Sequence, residues 1–334
     1  MIELHTPNGL RAFVPENEAE DTTPRFNVKN NLEEGVKYYK DKGYVIFNSC
    51  VSKENCKKLR DLWAKIIKPY KGTIYRQTTA KAEKNIINEN GWIMNPILNL
   101  QSLNPKHFGI LRHSTEDSVF SNNDICKVLK SILGEKPKIV QSMYFEGNSA
   151  TWEHQDSYYL DSVFIGSMTA VWLALEEIKA DAGRFFICPE SHKIDLGRQN
   201  IENNIADNHD KYIAKVVSII KSKNMPIKAP YMSAGDVLFW NSWTIHGSLD
   251  SQSKTHSRSS ITMHAIPESQ KFLQLHSRLI NVPTDDLGSS LVYRPKDQKK
   301  FKNRLILATE SYFPNIFYWM KKKAIKSLIN RKTT

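Results

Sequence analysis

The chain has 334 residues, 40% of them hydrophobic and 25% charged, with only 14 Gly and 14 Pro, as expected of an ordinary globular protein of one large or two small domains. Four cysteines without a C-x-x-C pair, no leader-like pattern over residues 1–10 and no apolar run of about 18 residues exclude a disulfide scaffold and predict a reducing, cytoplasmic setting. The net charge of +12 resides mostly in residues 291–334, where 12 Lys and Arg face only Asp297 and Glu310, so a basic pI says little about the body of the chain.

Residues 1–30, with Pro7, Pro15 and Pro24, read as an irregular lead-in. Residues 32–41 predict a helix that Gly43 stops, and residues 44–47 a short strand. Ser52 is a cap for a helix in which Leu59, Leu62, Trp63, Ile66 and Ile67 fall at helical spacing. Residues 71–104 read as loops and short helices near a pocket mouth, and Lys106, His107, Arg112 and His113 as solvated surface. Residues 122–133 predict a helix capped by Asn122 or Asn123 and ended by Gly134. Between 135 and 268 strand-like runs dominate: 139–145, 171–175, 184–188, 237–240 and 259–266. A polar, partly helical insertion at 195–225 interrupts them, and beyond Pro267 the sequence turns helical and basic. No linker is evident, which predicts a single domain over 1–334. Its core spans 33–268, with strands mainly at 139–266, and a basic helical extension covers 269–334.

Within the strand-rich region His154-Gln155-Asp156 is followed 92 residues later by His246, and 12 residues beyond that by Arg258. On extended backbone, side chains at i and i+2 share a face, so His154 and Asp156 can grip one ion while Gln155 points elsewhere. Two imidazoles and a carboxylate on one side of a metal leave open positions opposite, which suits non-haem Fe(II) oxygen chemistry. A guanidinium nearby can hold the far end of a dicarboxylate cosubstrate. A strand end carrying two ligands and a distant strand carrying the third would meet in a barrel-like β-sandwich. Taken singly, His154 serves equally as a hydrogen-bonded surface residue, Asp156 as a turn residue before Ser157, and Arg258 as a surface cation with His256 its rival.

With these residues placed, the chain resembles the phytanoyl-CoA dioxygenase family of Fe(II)/2-oxoglutarate oxygenases over roughly residues 33–268. The similarity is carried by Gly43-Tyr44-Val45-Ile46-Phe47, by His154-Gln155-Asp156, by Val171–Glu177 running to Ala182-Gly183 and Cys188-Pro189-Glu190-Ser191-His192-Lys193, and by Gly235-Asp236, His246-Gly247-Ser248 and Arg258. The resemblance implies an α+β fold with a mainly β core, a double-stranded β-helix (jelly-roll or cupin-like) with flanking helices. It implies that His154, Asp156 and His246 bind Fe(II) and that Arg258 binds 2-oxoglutarate, with Gln155, Trp172, Ser248 and Gln141 in the cosubstrate pocket. O2 is then the oxidant, a small-molecule C–H bond is hydroxylated, and succinate and CO2 are released. Glu190 departs from the family's Gly and suggests a different turn there. Asp156, a carboxylate, speaks against halogenation.

Two other function classes are a metal-binding β-barrel module without oxygenase activity and a nucleic-acid-directed oxygenase. The second is disfavoured because the charge is confined to the tail and His264 stands where the nucleic-acid demethylases carry a second Arg. No nucleic-acid partner is expected, and the sequence leaves the oligomeric state open. The aromatic, lysine-rich segment 312–328 reads first as a terminal helix docked on the barrel with its lysines in water, and second as a weak membrane-surface contact.

Overall fold

The computed structural model describes residues 1–147, 150–194, 196, 205–274 and 278–330. The lead-in is more ordered than expected: β1 (Ile2–His5) and β2 (Arg11–Val14) form a hairpin, followed by β3 (Arg25–Phe26). These strands are too short to stand out in sequence, and Leu4, Ala12 and Val14 complete their apolar cluster with residues far downstream, such as Phe186 and Leu249.

The helical flank follows its end signals. In α1 (Leu32–Lys42) Glu33 and Glu34 occupy the first turn and Lys40 and Lys42 the last, matching the helix dipole, and Gly43 ends it at φ +80°. After β4 (Tyr44–Phe47), the Ser52 hydroxyl accepts from the Asn55 amide to cap α2 (Lys53–Leu62), which runs on as π-helix over Trp63–Ile67. β5 (Ile74–Tyr75) and β6 (Ala82–Glu83) pair, and β7 (Ile97–Leu98) lies against β8 (Pro137–Phe145). α3 (Pro105–Thr115) and α4 (Asn123–Leu133) complete the layer, the latter capped by the Asn122 side chain.

The remaining runs are β9 (Thr151–His154), β10 (Leu160–Ser162), β11 (Thr169–Ala174), β12 (Phe185–Ile187), β13 (Val237–Asn241), β14 (His246–Ser248) and β15 (Ser260–Pro267), all but β10 divided between two sheets. α5 (Ile205–Ser222) occupies the polar insertion, of which 195 and 197–204 lie outside the described residues. Residues 269–300 correct the expected helical extension, for they add β16 (Phe272–Gln274), β17 (Arg278–Ile280), β18 (Thr284–Asp286) and β19 (Leu291–Tyr293). β19 pairs with β8 in parallel, so the core runs past 268; helix begins only with α6 (Phe301–Tyr312) and α7 (Pro314–Asn330). The large sheet has the order β18-β19-β8-β15-β11-β13-β4-β3, and a smaller one has β12-β14-β9.

Alternation decides which side each residue serves. Val45, Phe47, Val171, Leu173, Val237, Phe239, Ile261 and Met263 join one core with Leu59, Leu111 and Leu129 of the helices. Tyr44, Ile46, Trp172, Leu238 and Trp240 face the other way, into a cluster with Phe185 and Ile187 of the small sheet. On that inner face β15 carries Ser260, Thr262 and His264, all buried. Gly235 makes the tight entry to β13 at φ +92°, where a Cβ would lie 2.0 Å from the Val51 carbonyl oxygen. The result is a double-stranded β-helix flanked by helices, with a polar pocket between its sheets.

Candidate metal centre

His154 closes β9, Gln155 stays extended at φ −107° and ψ 135°, and Asp156 opens a short 3-10 turn. His246 opens β14, a strand of the small sheet distinct from β13, and sits directly across from His154 in the register. One side-chain donor atom from each of His154, Asp156 and His246 falls within 4.8 Å of the other two. The Asp156 Oδ1 is 3.7 Å from His154 Nε2 and 3.5 Å from His246 Nε2.

Both rings are held from behind. The Nδ1 of His154 lies 2.8 Å from the Trp152 carbonyl and that of His246 2.9 Å from the Thr244 carbonyl. A ring that donates through Nδ1 turns the Nε2 lone pair into the pocket, as a metal ligand requires. Asp156 is fixed too: the Trp240 indole donates to Oδ2 at 2.8 Å, leaving Oδ1 for the shared centre. Burial alone would raise the Asp156 carboxyl, but the imidazoles of His246, His264 and His154 outweigh it and hold the carboxyl well below its ordinary range. Burial, helped by His246, pushes the His154 ring below its usual value, which favours the neutral form that ligates.

Arg258 lies just before β15 and is 3% exposed. Its Nη1 donates to the Gly183 carbonyl at 3.1 Å, its guanidinium sits 5.2 Å above the Phe145 ring, and its Nε has no partner. Among the described residues no carboxylate pairs with it, and burial pushes it down to about 9. A buried, unpaired guanidinium costs several kcal/mol unless an anion joins it. His256, its rival, is turned outward and bonded to Ser253.

The other pocket candidates take varied places. The Gln155 side chain donates to the carbonyls of Ile194 and Trp243, away from the three donors, and Tyr212 binds its backbone amide. Ser248 accepts from the Thr151 amide across the β9–β14 pair. Trp172 stacks on Phe185, which in turn stacks on His246, so it backs the centre at one ring's remove. Gln141 sits on the inner face of β8, paired in register with His264. Glu190 adopts φ +65°, the left-handed conformation that glycine favours, and pairs with Lys42.

Trp240 and His264 were missed. An indole in an otherwise apolar run must find an acceptor, which was the available signal for Trp240. His264 lies with Nε2 3.4 Å from Asp156 Oδ2 and neither ring nitrogen hydrogen-bonded; its signal was the polar alternation Ser260, Thr262, His264.

A double-stranded β-helix that gathers two imidazoles and one carboxylate on one side of a pocket defines the facial-triad metal-site class. The family model for phytanoyl-CoA dioxygenase (PhyH) matches residues 39–260. This chain belongs to the phytanoyl-CoA dioxygenase family. Phytanoyl-CoA dioxygenase 1 of Oryza sativa subsp. japonica is 25% identical over 70% of this chain and 88% of its own length. A phytanoyl-CoA dioxygenase domain-containing protein 1 homolog of Caenorhabditis briggsae is 34% identical, over 22% of this chain and only 26% of that protein. In fold, the chain is similar to the non-haem α-ketoglutarate-dependent carbocyclase SnoK of nogalamycin biosynthesis, with a TM-score of 0.53, 16% identity, and coverage of 75% of this chain and 89% of that one. It is also similar to the epimerase SnoN, solved with Fe3+, α-ketoglutarate and a nogalamycin compound, with a TM-score of 0.51, 13% identity, and coverage of 80% and 96%.

Proposed function

We propose that this protein is an Fe(II)- and 2-oxoglutarate-dependent dioxygenase that hydroxylates an unactivated C–H bond of a small molecule, releasing succinate and CO2. The observation that carries the reading is the pairing of a three-donor face with a buried guanidinium that no carboxylate of the described residues neutralises. Fe(II) with 2-oxoglutarate supplies the oxidising chemistry when bound, and the protein supplies placement and a dry pocket.

His154, Asp156 and His246 would hold the metal from one side. Trp240 keeps Asp156 from offering its second oxygen, which preserves open positions opposite. Arg258 would pair with the distal carboxylate of the cosubstrate. Ser248, Trp172 and Gln141 are proposed to shape the pocket around it, whereas the amide of Gln155 is spent on backbone carbonyls. The aromatic backing of His246 by Phe185 and Trp172 excludes water from that side of the pocket.

The test is anaerobic loading with Fe(II) followed by 2-oxoglutarate and metabolite pools in air. Succinate should form in step with substrate loss in the wild type and not in Asp156→Ala. Equal succinate from both proteins, or stoichiometric Fe(II) binding with no 2-oxoglutarate turnover on any pool, would sink the reading.

A further inference from the structure

The C-terminal pair docks on the body through one side of α6. α6 is fastened to the body through Glu310, whose carboxylate accepts from the Tyr75 hydroxyl, the Ala82 amide and the Tyr318 hydroxyl. Thr73 and Ser311 add a second tie. The opposite surface is apolar and open. Leu305 is 57% exposed, Tyr312 79%, Phe313 60%, Ile316 57% and Trp319 58%. Residues three and four apart share a helix face, so Phe301, Leu305 and Tyr312 form one stripe on α6, and Ile316 and Met320 lie together on α7, with Phe313 at the junction between the helices.

Cations border these stripes. Lys321, Lys322 and Lys323 are exposed, and the Lys323 ammonium sits 4.1 Å from the Trp319 ring. From residue 298 to 334 the only acidic residue is Glu310, and it is 4% exposed, turned inward to the ties just described. An open aromatic stripe edged by lysines, on helices whose one carboxylate is turned inward, complements an anionic, apolar-topped interface. Among the described residues no helix is long and apolar enough to cross a membrane.

We propose that α6 and α7 form a surface-lying anchor for an anionic lipid bilayer, with Tyr312, Phe313, Ile316 and Trp319 entering the headgroup boundary and Lys321–Lys323 pairing with lipid phosphates. This places the chain at a lipid–water boundary without spanning it, and it is independent of the reading of the metal centre.

The test uses the full chain with vesicles of phosphatidylcholine alone or with about a third phosphatidylserine, read by co-flotation. The wild type should bind the anionic vesicles, and raised salt should weaken the binding. Reversing Lys321, Lys322 and Lys323 to Glu should reduce partitioning at least about a hundredfold, since each basic residue contributes roughly a factor of several near such a surface. Trp319→Ala with Phe313→Ala should lose binding at low salt as well, and the Trp319 contribution to emission should shift to shorter wavelength on binding. The proposal is overturned if the wild type ignores anionic vesicles at low salt, or if the charge-reversed chain binds them equally. It is also overturned if light scattering shows a dimer that Trp319→Asp breaks, or if an oligonucleotide displaces the vesicles from Lys321–Lys323. Thermal melting of each variant separates a lost surface from a lost fold.

Discussion

Arg258 is a buried cation without a counter-charge among the described residues, a state that lowers stability and is hard to explain without a ligand. Replacing it with Met, of similar length and no charge, is expected to stabilise the ligand-free protein by about 1–3 kcal/mol. Loss of the bond to Gly183 takes back about 1 kcal/mol. A base whose folded pKa is depressed carries its full penalty below that pKa, here about 9, and loses it as the pH rises further toward the unfolded value. The stability gap between Arg258→Met and wild type should therefore be flat up to about pH 9 and narrow above it. In the wild type, 2-oxoglutarate at about a hundred times its Kd should add about 2.7 kcal/mol, and in Arg258→Met close to nothing. Urea denaturation with and without the keto acid measures both; a destabilised variant that still responds fully would make the guanidinium structural. Trp240→Phe keeps the ring but removes the donor to Asp156 Oδ2, so metal affinity by chelator competition should fall about 10–100-fold while the fold survives.

At the scale of elements, the centre depends on how closely β9 and β14 approach. Gly247 follows His246, and a Cβ there would lie 2.6 Å from the Thr151 carbonyl oxygen and 2.8 Å from that of Trp152. Both atoms are backbone of the strand that carries His154, so neither can swing aside. Gly247→Ala should push the strands apart, costing about 2–4 kcal/mol and taking the Co(II) spectrum of the bound site with it. An unchanged spectrum would mean that the ligands follow the backbone freely. The same elements show what was legible in sequence. α1, α4 and β4 were readable because Gly43, Gly134 and Asn122 mark their ends, and β8, β11, β13 and β15 because their runs are long and β-branched. β12 was also read, from the run 184–188, whereas β9 and β14 are four and three residues and owe their state to pairing across the chain, which no local pattern records. The convergence of His154, Asp156 and His246 was legible through spacing and family likeness, whereas Trp240 became visible only when the sheets brought it to Asp156. The strands at 272–293 were hidden because β19 is defined by its parallel partner β8.

For the molecule as a whole, both chain ends are tied into the core by buried charge. Near the C-terminal side, Arg112 of α3 reaches Asp297 at 2.9 Å and Glu116 at 3.2 Å, and Arg294 joins Glu116, so Arg112 is part of a sealed network and not the solvated surface its sequence suggested. At the N-terminal side the tie reaches the metal centre itself. Glu153 precedes His154 on the outer face of β9, is 0% exposed, and its two carboxylate oxygens accept from the Thr6 hydroxyl and the Asn8 amide in the loop between β1 and β2. The hairpin therefore caps a buried anion one residue from a ligand. Thr6→Val with Asn8→Ala leaves that carboxylate buried and unpaired, and about 3–5 kcal/mol of stability should go with it. Metal affinity should drop in the same protein, because β9 can satisfy Glu153 only by moving toward water and carrying His154 along. Adding Glu153→Met to that background removes the stranded charge, so both stability and metal affinity should recover, a pattern that loss of hairpin packing alone would not produce. If the double variant melts with the wild type and binds Co(II) equally well, the hairpin does not brace the centre.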